Sequence, residues 1–233
     1  MSDIVLFKLP AGFGLPSVSP YCLKVEAWMQ IQGVAYTAQQ GDLRKPRNKK
    51  MPYVLIDGEQ VCDSHNILPR LAASTGKPMH QPQGEDKARA HAAMVIAQES
   101  VYWALVYARW TMDSGWVHLE PLVRGLLPAP LRPLLIGVIR KATNKQVWQQ
   151  GTGRLGPEFV WERAREDLDS LSHLLGDRAY FGGEQICDYD LGVWAPLASI
   201  HLGPPDGPLK DAVAGHANLV AWIERVDALR NPS

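Results

Sequence analysis

Three short stretches of the chain place chemically useful side chains at element boundaries. Ser19-Pro20-Tyr21-Cys22 sets a hydroxyl, a helix-starting proline, a phenol and a thiol in consecutive positions. Lys50-Met51-Pro52 puts a cation and a proline just before an apolar run, and Asp63-Ser64 stands where a helical periodicity begins. The free N–H groups of a helix start, joined by a Ser hydroxyl, make a site for an anion. A proline cannot donate to a strand ladder, so Pro52 takes the strand's first position or a special turn, where a cis peptide is allowed. The residue before such a turn, Met51, is released from the sheet and can offer its own N–H and C=O to an extended peptide. Cys22 falls at the third helical position, where a thiolate is favoured, but it lies on the apolar face and reads as an inert packed thiol. Ser rather than Cys at position 19 removes the dithiol redox motif.

These stretches are positioned by a recognisable order of elements. The run Ile4-Val5-Leu6-Phe7 is too short for a helix and fits a central strand covered on both faces. Ser19 as N-cap and Pro20 at the first position open a helix with Tyr21, Val25 and Trp28 on its apolar face, ending near Gly33. Residues 34–38 follow as a second strand, and a basic loop runs from Arg44 to Lys50. Residues 53–56 and 60–62 form a hairpin about the type I′ turn Asp57-Gly58, with Cys62 facing the core. A helix then runs to Thr75-Gly76. The order βαβ then ββα is that of an α/β thioredoxin-like fold. In an open α/β sheet, the ligand site lies at the carboxyl ends of strands beside helix N-termini, which brings Ser19, Met51-Pro52 and Asp63-Ser64 together. Read structurally, Ser19 is an N-cap worth about 1 kcal/mol to its helix.

Residues 77–86, with Pro78, Pro82 and Gly84, lack periodicity and read as a linker between domain 1–76 and domain 87–233. Beyond it the strand signals stop and an all-α helical bundle is expected. One long helix spans 88–112, with Glu99 and Arg109 as the polar residues that could pair with another charge inside the bundle. Its stripe of Trp103, Tyr107 and Trp110 reads as core or as one wall of a co-substrate pocket, with Tyr21 opposite. Residues 119–139 are apolar, but Arg124, Arg132 and Pro121, Pro128, Pro130 and Pro133 break them into pieces too short to span a membrane. They read as a connection that caps the bundle. Helices are expected over 157–175, 188–200 and 217–229, the second of them capped at Cys187 with Asp190 completing the box, or at Asp188, since a thiol accepts poorly. The glycines 151, 153 and 156 follow no strand and form no phosphate loop.

Composition narrows the field. Lys plus Arg and Asp plus Glu both number 24, so no field draws nucleic acid or an anionic membrane. The three cysteines show neither metal-ligand nor disulfide spacing, the histidines are unpaired as ligands, and no basic and apolar leader precedes the first strand. A cytoplasmic protein without a metal is expected.

The Ser-Pro-Tyr-Cys helix start, the Lys-Met-Pro strand entry and the Asp-Ser-x-x-Ile helix start resemble the glutathione transferase superfamily. Glu99 through Trp110, Tyr180-Phe181-Gly182-Gly183 and Asp190-Leu191-Gly192 are similar to its branch of failed axon connections proteins, metaxins and their bacterial relatives. The resemblance covers nearly the whole chain. It implies glutathione as co-substrate, held by the Met51 backbone before Pro52, by Asp63 and Ser64 at the γ-glutamyl end, and by Lys50, with Lys49 as its alternate, at the glycyl carboxylate. Ser19 takes the place of the thiol-activating residue, with Ser17 and Tyr21 as competitors. The reaction implied is conjugation of the glutathione thiolate to a small apolar electrophile or exchange of thiols with a mixed disulfide; the alternative is a non-catalytic interaction module, with membrane association as one form of it. Dimerisation is common in that superfamily, and nothing in this sequence decides between monomer and homodimer.

Overall fold

The computed structural model describes residues 2–230. Its N-terminal part is a four-stranded sheet in the order β2-β1-β3-β4, built from β1 (Ile4–Lys8), β2 (Thr37–Gln40), β3 (Tyr53–Ile56) and β4 (Glu59–Cys62). β1 pairs parallel with β2 and antiparallel with β3, and β3 pairs antiparallel with β4. This mixed sheet, with α1 (Pro20–Ile31) and α2 (Ser64–Thr75), is the thioredoxin-like arrangement.

The hairpin forms where the sequence demands it. Asp57 and Gly58 sit at φ 50° and 84°, the two left-handed positions of a type I′ turn. The turn is tied down where the Asp3 N–H donates to the Asp57 carboxylate at 2.8 Å. Two expectations in this half need correction. The second strand begins at Thr37, not at residue 34; all four of its residues are exposed, because it is an edge strand and Val34 turns inward ahead of it. β1 is buried on one face only, at Ile4 and Leu6, while Val5 and Phe7 are half-covered. Cys62 is likewise half-buried, its thiol 3.4 Å from the Gln60 side chain.

The C-terminal part is helical. α3 (Gly84–Ile96) continues through a π-helical turn (Ala97–Val101), α4 (Tyr102–Val106) and a second π turn (Tyr107–Thr111). The expected single helix is therefore one rod with two widened turns, beginning at Gly84 rather than at 88 and breaking at Met112, which is extended at ψ 135°. π turns re-aim side chains within a helix. Here they send the aromatic stripe in different directions.

Residues 119–139 are also corrected: they are the end of α5 (Asp113–Gly125) and the start of α6 (Arg132–Gln150), a helical arm rather than a simple connection. The arm is pinned by Trp116, Leu119 and Val123, against which Phe13 of the β1–α1 loop packs. α7 (Pro157–Leu175), α8 (Asp188–His201), α9 (Pro208–Ala214) and α10 (Ala217–Arg230) complete the bundle. α8 is capped by Cys187 after all. The Asp190 carboxylate accepts from the N–H groups of Cys187 at 3.0 Å and Phe181 at 2.8 Å, and Asp188 is left to other work. Gly192 explains itself by close approach, since a Cβ there would lie 2.5 Å from Met94 of α3. No helix among the described residues is long and apolar enough to cross a membrane.

One buried cation ties the two halves. Arg109, 4% exposed, donates to the carbonyls of Ser199 at 2.7 Å, Val18 at 3.2 Å and Pro204 at 3.4 Å, and stacks over the Phe13 ring. Burial pulls its pKa down to about 10, still far above neutrality, so it stays charged. The expected carboxylate partner within the bundle is replaced by backbone carbonyls, and Glu99 is exposed with no ion pair among the described residues. Arg109→Leu leaves the buried Ser199 carbonyl and the part-buried Val18 and Pro204 carbonyls without their donor and should cost about 3 kcal/mol in urea denaturation, against no measurable change for Glu99→Gln.

Candidate functional site

The first turn of α1 is built from Ser17, Ser19, Tyr21 and Cys22. Ser17 is fully buried; its hydroxyl donates to the Leu9 carbonyl at 2.9 Å and receives the Ser19 N–H at 3.3 Å. That hydroxyl is occupied by backbone. Ser19 is the N-cap by backbone conformation, yet its side chain makes no cap hydrogen bond and its hydroxyl lies beside the Cys22 thiol. The Cys22 thiol is fully buried, and burial pushes its pKa up, although the nearby Ser19 and Ser17 hydroxyls work in the opposite direction. It is a packed thiol in a cluster with Met51 and Tyr53.

Tyr21 points across the domain interface, its hydroxyl 3.5 Å from the Gln98 carbonyl and its ring edge-on to Tyr102 at 5.0 Å. Burial first, then the neighbouring Tyr102 phenol and the charges of Glu99 and Asp63, hold the phenol protonated.

The Met51–Pro52 peptide is cis, and the Met51 backbone groups bond to no other group among the described residues. Lys50 is exposed, with its N–H on the Asn48 side chain at 3.1 Å. The Lys49 ammonium is spent on the Arg44 carbonyl at 2.7 Å. Asp63 caps α2, accepting the His65 N–H at 2.9 Å, from a backbone at φ 75°, a strained conformation for a non-glycine residue and one that clusters at ligand sites. Ser64, at the first helical position and 5% exposed, has neither its N–H nor its hydroxyl bonded among the described residues.

A cleft of about 210 Å³ opens beside Ser64. It is lined by Lys24 of α1, His65 and Leu68 of α2, His80 and Gln81 of the inter-domain segment, and Asp188 of α8. Lys24, only 2% exposed, forms no hydrogen bond and has no carboxylate within 4 Å among the described residues. Burial pulls its pKa down to about 8, opposed by the charges of Asp188 and Asp63. Asp188 accepts from the Trp28 indole at 3.0 Å, and burial raises its pKa.

The proposed wall of aromatic residues does not gather in one place. Tyr107 is buried against Trp161, Trp110 leans on Trp116, and Trp103 sits beside Tyr102. Lys24 and Asp188 were missed as site residues. The available signal was a charge at position 24 on a helix whose neighbours are all apolar, one turn after Tyr21. No cluster of three or more His, Cys, Asp or Glu that could hold a metal occurs among the described residues.

A free α2 start, a released Met51 backbone and a Ser19 hydroxyl that caps nothing are carried by a thioredoxin-like sheet and its helices, joined to a helical bundle. Comparison with known proteins agrees: residues 20–116 match the glutathione S-transferase N-terminal domain and residues 164–226 the glutathione S-transferase C-terminal domain. The chain belongs to the glutathione transferase superfamily. It is 28% identical to the isoprene-epoxide–glutathione S-transferase of Rhodococcus sp. (strain AD45), over 96% of this chain and 97% of that one. It is 26% identical to Failed axon connections of Drosophila melanogaster over 96% of its own length and 57% of the relative's, and 24% identical to metaxin-1 of Sus scrofa over 97% and 75%. These relatives define the branch. Among solved structures, glutathione transferase GSTFuA3 of Phanerochaete chrysosporium shares the fold with a TM-score of 0.70 at 16% identity, over 97% of both chains.

Lys24 makes this glutathione transferase fold sensitive to alkali in a measurable way. The folded protein disfavours its charged form, so between about pH 8 and the ordinary lysine range the unfolded chain binds more protons, and stability rises with pH. The rise attributable to Lys24 should be about 3 kcal/mol. It should be missing from Lys24→Met when urea midpoints of both proteins are compared between pH 7.5 and 10.5.

Proposed function

We propose that the protein binds glutathione along the edge formed by Ser19, Met51-Pro52 and Asp63-Ser64 and conjugates its thiolate to a small apolar electrophile. The Met51 N–H and C=O pair with the cysteinyl unit, Ser64 and Asp63 take the γ-glutamyl end, and Lys50 reaches the glycyl carboxylate. The observation that carries this reading is the Ser19 hydroxyl: it caps nothing, while neighbouring Ser17 is tied to Leu9. A hydroxyl at the start of α1 donates to a thiolate sulfur, and the positive end of the helix lowers the thiol pKa further.

An epoxide is the electrophile class to examine first, because the relative matched over almost its full length is named for one. The thiolate sulfur attacks an epoxide carbon, the S–C bond forms as the C–O bond breaks, and the alkoxide takes a proton from water. Glutathione is consumed as co-substrate, and positioning supplies most of the rate. Tyr21 faces the domain interface where such a molecule would lie, packed edge-on against Tyr102 of the long helix, with Trp103 behind Tyr102. The cytoplasm suits three unpaired cysteines.

Calorimetric titration tests binding, and thiolate absorbance against pH tests Ser19. Ser19→Ala should leave binding intact and raise the bound thiol's pKa by about 1 to 2 units, the value of one charge-assisted hydrogen bond. Ser17→Ala should leave that pKa where it was. An unchanged pKa in Ser19→Ala removes Ser19 from the chemistry.

One observation favours a second reading, an interaction module. α6 carries exposed Leu134, Val138 and Trp148 on the same side as Lys141 and Lys145, and residues 121–157 hold six Lys or Arg and no Asp or Glu. Such a face suits an anionic lipid surface. On this reading wild type sediments with anionic vesicles, and the pair Leu134→Glu and Val138→Glu abolishes it; equal sedimentation of both proteins sinks it.

A further inference from the structure

The cleft beside Ser64 contains a cation with no protein partner among the described residues, its stem buried and its ammonium open to the cleft. Lys24 is 2% exposed, and among the described residues its ammonium has no hydrogen-bond acceptor and no carboxylate within salt-bridge distance. Burying a charge without a partner is costly, and proteins ordinarily pair such groups. The other strongly buried charged side chains here obey that rule. Glu26 accepts from Lys8 at 2.5 and 2.6 Å and from Tyr36, Arg109 holds three carbonyls, and Asp190 accepts from two backbone N–H groups. Lys24 lines a cavity of about 210 Å³ that it shares with the Ser64 side chain and, on the opposite helix, with Asp188. Ser64 is equally uncommitted, in hydroxyl and in N–H, at the first position of α2. One cleft therefore collects an unpaired cation, a free hydroxyl and helix N–H groups, with a carboxylate across from them. A group bearing a carboxylate and an ammonium on one carbon matches that arrangement in sign on both sides.

We propose that Lys24 is a glutathione-binding residue, its ammonium pairing inside the cleft with the α-carboxylate of the γ-glutamyl end while Asp188 faces the α-ammonium. This rests on glutathione binding as proposed above and adds what holds its zwitterionic end: a counter-ion supplied from inside α1 and a second one from α8 in the C-terminal bundle. Ligand recognition then spans both halves of one chain, because α1 and α8 pack directly on each other through Trp28 and Asp188. The cleft selects for the intact amino-acid end. A thiol that lacks the α-carboxylate leaves Lys24 buried and unpaired in the complex, and loses the charge-assisted bond besides.

The experiment compares two ligands on two proteins. Glutathione and γ-aminobutyryl-cysteinylglycine, which differ only in the α-carboxylate, are titrated calorimetrically into wild type and Lys24→Met at pH 7. Wild type should bind glutathione about 10- to 100-fold more tightly than the decarboxylated analogue. Lys24→Met should bind glutathione more weakly and lose most of that preference, the remainder being held by Ser64 and the start of α2. Lys24→Arg, which keeps the charge, should retain the preference, and Lys24→Gln repeats the neutral substitution should the Met variant not fold. The proposal is overturned when the neutral variant discriminates between the two ligands as strongly as wild type does, or when wild type binds them equally. Failure of wild type to bind glutathione at all is a different result, and it removes the glutathione reading itself.

Discussion

The structure depends on the burial of α1. The twelve residues of the helix would ordinarily divide into a buried and a solvated face; here nine are buried, Pro20, Cys22, Leu23, Val25, Ala27, Trp28 and Met29 together with Lys24 and Glu26. The sheet covers one side, α2 another, and α8 and α10 of the bundle the rest. A helix enclosed on all sides has no water to solvate its charges, so each must be met by protein or by ligand. Glu26 is met from β1 by Lys8 and from Tyr36, which fastens the helix to the sheet. Lys24 is turned the other way, into the seam with the bundle. The same packing that makes α1 rigid makes its first turn a fixed platform, and it is the first turn that carries Ser19.

Rigidity of the platform would be of little use if the loop before it moved. The β1–α1 loop contributes no regular ladder, and its position is held from outside, by the Arg109 guanidinium on the Val18 carbonyl and by Phe13 against Trp116 and its neighbours. Arg109 comes from the second π turn of the long helix. An unwidened helix would place that side chain about a residue's rotation away. The π turn therefore has a structural consequence in this chain: it lets one cation reach the carbonyls of Val18, Ser199 and Pro204 together. The link runs from a local irregularity in the bundle to the residue adjoining Ser19.

Much of the thioredoxin-like half was legible because its signals are local. Asp57-Gly58 dictates its turn, Pro20 and Ser19 dictate a helix start, and Gly76 ends α2 in the left-handed region at φ 67°. α7 matches its expected limits, Pro157–Leu175, because its apolar face repeats at helical spacing without interruption. What could not be read depended on neighbours distant in sequence. The edge strand β2 has no buried face to mark it, so the apolar Val34 drew the expected strand too early. The aromatic stripe was scattered by π turns that no spacing rule announces. Capping of α8 by Cys187 was discounted on the weakness of a thiol as an acceptor, whereas the capping bonds that matter are accepted by the Asp190 carboxylate. Family membership was legible in motif order, which survives at identities below 30%.

The contrast among the hydroxyls and thiols at the start of α1 separates scaffold from chemistry. Ser17 is committed to Leu9 and Cys22 is sealed under Met51 and Tyr53, so both serve the fold. Ser19 is the one whose position is fixed by backbone while its side chain caps nothing. Lys24 and Ser64 stand in the same relation to their surroundings: held in place, but not satisfied. A fold close to its stability threshold does not retain an unpaired buried cation for packing, since methionine would fill the space at lower cost. Lys24 and Ser64, left open in one cleft beside partners that are closed, are what a preorganised binding surface requires, because their desolvation has already been met in folding and a ligand of matching charge recovers it on binding.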